Sequence, residues 1–210
     1  KILPSPTFVA EQVDAARMLR TNRDLQRYAE LRVELDALSR DYILAAFTHL
    51  GFAPGPDAVF TLDEITAHLG IQERYRRLTV RLLDMLMVDG ILQHTGDLQW
   101  SVCDVPAGAS ADSLNAEVTR LLRAYPEFEA ELVLLGACGF ALGDVLAGRA
   151  DPLELLFPGG DLARAEKLYT QSPVAKVYNG LVQDALDQLV QALPAGRPLR
   201  VLEIGAGTGG

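Results

Sequence analysis

Apolar positions recur at helical spacing along most of the chain. From Phe8 to about Leu50 there is no glycine or proline, and strong helix formers dominate. Leu31, Leu35, Leu38, Tyr42, Ala45 and Ala46 fall three or four residues apart, so one face of this stretch is expected to be buried. Thr21-Asn22 is the best break, because both residues favour caps over helix interiors. Gly51 is placed to end the helix, and a Pro/Gly loop follows over 52–57. Thr61-Leu62-Asp63-Glu64 then fits a capping box, with Glu64 able to reach back to the helix start. That helix is expected to end at Gly70. The next runs over about 72–88, with Leu78, Leu82, Leu83, Leu86 and Met87 as its apolar face.

The period then changes from helical to alternating. Ile91-Leu92-Gln93-His94 and Leu98-Gln99-Trp100-Ser101-Val102 flank Thr95-Gly96-Asp97, which predicts a β-hairpin. Helix, helix, helix, hairpin is a winged-helix-like order, spanning about 44–103. Helices are expected over about 111–124, 126–147, 161–169 and 173–193, with a short turn at 151–156 and Ser172-Pro173 capping the last helix. Leu199 to Ile204 predicts one buried β-strand. Residues 1–7, with Pro4 and Pro6, read as a linker. The expected class is mainly α: a helical region over 8–170, then the start of an α/β core over 171–210.

Composition narrows the function. The chain has 210 residues, 49% hydrophobic and 22% charged, close to an ordinary globular protein, and its net charge is −9. That balance argues against a main role in neutralising nucleic-acid phosphates. Arg74, Arg76, Arg77 and Arg81 on the third helix invite a groove-reading role, but Asp84 and Asp89 accompany them, so a solvated scaffold face is expected and no nucleic-acid partner. No apolar run approaches membrane-spanning length. Cys103 and Cys138 cannot form a disulfide framework, and both read as small buried hydrophobes. With no signal peptide, a cytoplasmic location is expected. No Cys or His spacing suggests a metal site. Gly136, Gly139 and Gly143 within one helix suggest close helix packing. A chain that starts at Lys1 and stops in a glycine loop is expected to be a piece of a longer polypeptide.

The chemistry concentrates at the C-terminal end. An apolar strand ends in Glu203 and runs into Gly205-x-Gly207-x-Gly209. In nucleotide-binding α/β folds, ligands sit at the carboxyl ends of strands. Glycines there remove Cβ atoms so that backbone can approach a ligand. The spacing E-x-G-x-G-x-G looks like motif I of S-adenosylmethionine (SAM) methyltransferases. A dinucleotide loop of GxGxxG type, or a tight turn with no ligand, are the alternatives.

Further upstream lie Leu153-Glu154-Leu155-Leu156-Phe157-Pro158-Gly159-Gly160, Ala165-Glu166-Lys167-Leu168-Tyr169 and Ser172-Pro173-Val174-Ala175-Lys176-Val177-Tyr178-Asn179. With Arg197-Pro198 and the strand and loop after them, these resemble, in order and spacing, the entry into the C-methyltransferase domains of modular polyketide synthases. The resemblance implies a helical lid over a Rossmann-like core, with SAM as cofactor. It implies methyl transfer to the α-carbon of an acyl or β-ketoacyl thioester on the phosphopantetheine arm of an acyl carrier protein, beside neighbouring synthase domains. It assigns Glu203, Gly205, Gly207 and Gly209 to the cofactor and places Tyr178 near the active site. The family's ribose-binding acid, catalytic histidine and partner glutamate would lie beyond Gly210, so this stretch alone is expected to be inactive. A non-catalytic adaptor of a loading module, or a small-molecule O-methyltransferase with a winged-helix domain, are the competing readings.

Overall fold

The structure is a computed structural model that describes residues 19, 21–55, 57–104, 108–194, 196, 197, 200, 202 and 204. The long helix α1 (Arg23–His49) starts where Asn22 caps it, its side-chain oxygen accepting from the Asp24 and Leu25 amides at 2.9 and 3.1 Å. Gly51, at φ 103°, reverses the chain after it. Strand β1 (Val59–Thr61) leads into α2 (Leu62–His68), where the capping box forms as expected. Thr61 Oγ1 accepts from the Glu64 amide, and the Thr61 amide donates to the Glu64 carboxylate at 2.7 Å. A 3-10 turn (Glu73–Tyr75) precedes α3 (Arg76–Val88), and β2 (Leu92–Gly96) and β3 (Gln99–Val102) form the hairpin.

The three strands make one antiparallel sheet in the order β1-β3-β2, with Phe60 opposite Trp100 and Leu92 opposite Val102. The sheet thus gathers the hairpin and the strand that enters α2. Strand β1 is the element that the hydrophobic pattern did not predict. Three residues carry too short an alternation to read, and the strand exists because β3 offers it an edge. The hairpin turn is also shorter than expected, Asp97-Leu98, and begins two residues later. A bulge between His94 and Gly96 shifts the register, and Leu98 takes φ 49°.

The remaining helices are α4 (Ala111–Ala124), α5 (Glu129–Leu146) after a 3-10 turn at Pro126–Phe128, α6 (Pro152–Leu156), α7 (Ala163–Thr170) and α8 (Pro173–Gln191). Two cores result. One surrounds Trp100, Phe47, Leu83, Leu86 and Leu92, between the sheet and helices α1 to α3. The other joins α1, α4 and α5 through Leu31, Leu38, Tyr42, Leu121, Phe128 and Leu132. At 27 residues, α1 is about 40 Å long and belongs to both.

Helix α5 lies along α1, and glycines make the approach possible. A Cβ on Gly139 would sit 2.4 Å from the Tyr42 ring, and one on Gly143 would sit 3.4 Å from the Ala46 carbonyl oxygen. The expectation of close packing holds at these positions. Three others need correction. Leu78 is not part of the buried face of α3, which is Thr79, Leu82, Leu83 and Leu86. Cys103 is exposed rather than buried, because it follows the last strand residue, while Cys138 is half-buried and its thiol pKa is pushed up by that burial. Ser172 does not cap α8 with its side chain; its hydroxyl donates instead to the Glu131 carboxylate on α5.

Candidate functional site

The C-terminal helices carry the candidate site. Helix α7 lies against α5 and α8, and α8 also touches α1 near its start, where Val174 packs on the second core. Ser172 is buried and ties this corner to Glu131, whose second carboxylate oxygen is buried without a hydrogen-bond partner among the described residues. Beyond this corner, α8 buries none of its residues. Tyr178, 52% exposed, shares one face of α8 with the exposed Val182, Leu186, Leu189 and Val190. An amphipathic helix normally turns such a stripe toward a partner.

Glu203, Gly205, Gly207 and Gly209 lie outside the described residues. Their described neighbours Leu202 and Ile204 are both exposed and neither lies in a strand, so the buried strand expected over Leu199 to Ile204 is not found at its described positions. The structure therefore places Tyr178 on an open face and leaves the glycine motif as a sequence assignment.

The three histidines have other surroundings. His49 lies 3.9 Å from Asp144, which also binds Arg149 at 2.7 Å. His68 Nε2 sits 3.3 Å from the Gly51 carbonyl oxygen. His94 stacks near Trp100, with ring centroids 5.1 Å apart, and faces Asp84 at 3.8 Å. They stand on α1, α2 and β2, and none of these contacts involves α7 or α8. Among the described residues, no group of three His, Cys, Asp or Glu could hold a metal ion. No helix of the described residues is long and apolar enough to cross a membrane.

Two hollows flank the α7–α8 corner. One, of about 350 Å³, is apolar and lined by Leu134, Leu156, Phe157, Leu162 and Leu168 among others. The other, of about 560 Å³, gathers Arg164, Lys167 and Lys176 between the start of α5 and the α7–α8 junction. Sequence reasoning did not single out these cations. The signal was present: with Lys1, Lys167 and Lys176 are the only lysines of the chain. A third hollow, of about 440 Å³, lies between α1, α5 and the start of α4, beside Tyr42.

Comparison with known proteins decides what kind of arrangement this is. No family model matches the chain. The crystal structure of the CurJ carbon methyltransferase superposes with a TM-score of 0.85 and 36% sequence identity, over 97% of this chain and 52% of that one. The chain resembles a polyketide synthase carbon methyltransferase domain. The citrinin polyketide synthase CMeT domain agrees, at a TM-score of 0.80 and 26% identity over 99% of this chain and 55% of that one. In sequence, 176 residues (83% of the chain) are 31% identical to the non-reducing polyketide synthase adrD of Penicillium roqueforti. A further 32% identity over 172 residues links it to mapC of Penicillium brevicompactum. The chain spans about half the length of the solved methyltransferases and 7% of the length of these synthases. The methyltransferase-like chain thus corresponds to part of a domain, and its mainly helical class is the one that the residue pattern predicts.

Proposed function

We propose that the chain is the lid and first core strand of a SAM-dependent C-methyltransferase domain in a polyketide synthase. The observation that carries the reading is the superposition on the CurJ carbon methyltransferase along nearly the whole chain. The helical lid covers 8–170, and the core begins at 171–210. The substrate is an acyl or β-ketoacyl thioester on the phosphopantetheine arm of an acyl carrier protein. The acceptor position is its α-carbon. SAM supplies the methyl group when bound.

The chain's own part is binding and enclosure. The donor set suits the cofactor: Glu203 offers a carboxylate to polar groups, and Gly205, Gly207 and Gly209 lack the Cβ atoms that would fill the space. SAM has no phosphate, which fits a loop without a lysine or arginine from Val201 to Gly210. The open face of α8 suits a helix that the rest of the core covers, and Tyr178 on that face is a candidate for the active-site rim. By itself the chain is expected to bind SAM weakly and not to turn over, since it spans about half the length of the solved methyltransferases.

The test uses the complete domain. Gly207→Val adds a branched side chain where the ligand should lie and forbids backbone conformations open to glycine. Methylation of a carrier-bound β-ketothioester, read by mass spectrometry, should be abolished while circular dichroism stays unchanged. Wild-type methylation by the folded variant sinks the cofactor assignment.

A further inference from the structure

The exposed face of α3 and of the turn before it is basic in an acidic chain. Arg74, Arg77, Leu78, Arg81 and Val88 fall at helical spacing along the 3-10 turn and α3, and all five are exposed. The opposite face of α3 is spent on the core through Leu82, Leu83 and Leu86. Arg76, in the same run, is also spent: it binds Asp63 at 2.6 Å and Glu73 at 3.5 Å. Arg77 and Arg81 meet no carboxylate among the described residues, and Arg74 rests over the Tyr75 ring at 4.9 Å. Of the nearby acids, Glu73 binds Arg76, Asp84 faces His94, and Asp89 stands at the C-terminal end of the helix beside Val88. Three guanidinium groups without a carboxylate partner among the described residues thus surround Leu78, 38% exposed, while Val88, 86% exposed, lies about two turns beyond Arg81 along the same face. Nothing in the fold requires this arrangement.

We infer that this face of α3 docks an acidic helical surface of another domain of the same polyketide synthase. The inference rests on the polyketide synthase reading for the source of the partner. Charge complementarity gives the sign. Guanidinium forks match carboxylates, and Leu78 among them supplies an apolar centre. Relatives in which this stretch is 7% of the polypeptide show how much chain is available to supply such a surface. Nucleic acid fits less well. Phosphate binding gains with each cation that joins it, yet no lysine or arginine occurs from Leu82 to Thr119, and Asp97 sits at the turn of the hairpin beside the helix.

The test is photo-cross-linking in the complete synthase polypeptide, with p-benzoylphenylalanine replacing Leu78. The expected result is a cross-link to an Asp/Glu-rich helical segment of another domain, located by mass spectrometry. Arg77→Glu with Arg81→Glu should cut its yield about tenfold, while Arg77→Lys with Arg81→Lys should largely keep it, and added salt should weaken it. No cross-link, a cross-link insensitive to charge reversal, or capture of nucleic acid alone overturns the inference. Methylation of a small soluble thioester is followed in parallel, since it needs no docking and should be unchanged by the reversal. A synthase that cross-links as expected but never methylates would sink the proposed function and leave the docking surface standing.

Discussion

Tyr42 concentrates the energetics of the second core in one residue. Its side chain is 2% exposed and meets the Phe140 ring edge-on, with centroids 5.1 Å apart. Its hydroxyl is buried without a hydrogen-bond partner among the described residues. Burial pushes the phenol pKa from 10.0 up to about 12, since the low-dielectric surroundings disfavour phenolate. The folded chain therefore holds the proton more tightly than the unfolded chain. This contribution to stability is complete below pH 10 and is lost as pH rises toward 12. Thermal melts of the wild type and Tyr42→Phe should diverge across that window, with the wild type falling faster. At neutral pH the variant should match or exceed the wild type, because an unmade buried hydrogen bond costs about 1–3 kcal/mol. A clear loss of stability in Tyr42→Phe would mean that the hydroxyl is satisfied after all.

The same ring sets the tolerance of the helix that crosses it. On α5, a Cβ at Gly139 would enter the Tyr42 ring at 2.4 Å, well inside contact distance. Gly139→Ala should therefore lose about 1–3 kcal/mol through overpacking, despite alanine's better helix propensity. On α8, a Cβ at Gly180 meets nothing within 4 Å. Gly180→Ala should gain about 0.5–1 kcal/mol, the ordinary backbone-entropy benefit. Urea denaturation of the two variants should show opposite signs for the same chemical change. Equal effects would show that the α1–α5 contact is looser than its geometry.

At the scale of the molecule, α8 is the open side. Tyr178, Val182, Leu186, Leu189 and Val190 expose one apolar stripe, whereas the other long helices bury theirs. The 210-residue chain on its own should self-associate through this face with rising concentration. Val182→Glu together with Leu189→Glu should leave it monomeric in sedimentation velocity, with unchanged circular dichroism, because neither residue supports a core. In the complete domain the same pair should lower the melting temperature, since there the face is covered. Unfolding of the short chain by this pair would show that α8 is already part of a core.

What the sequence determined alone is local. Caps, glycine stops and helical periods mark α1 and α2 because each signal acts within a few residues: Asn22 binds amides two and three positions on, and Thr61 and Glu64 bind each other. The glycine motif after Glu203 is legible in the same way, as a run of residue types. What tertiary structure decided is everything that depends on a distant partner. Strand β1 exists because Gln99–Val102 comes within pairing distance, and Gly139 matters because Tyr42 arrives from 97 positions away. Ser172 leaves its expected cap for a carboxylate 41 residues distant, which only the tertiary fold brings within reach of its hydroxyl. Leu78 reads as core by period alone, but α3 has only one covered side. Which side faces the sheet is settled by the packing of α3 on β2 and α1, and that choice leaves the arginine row in solvent.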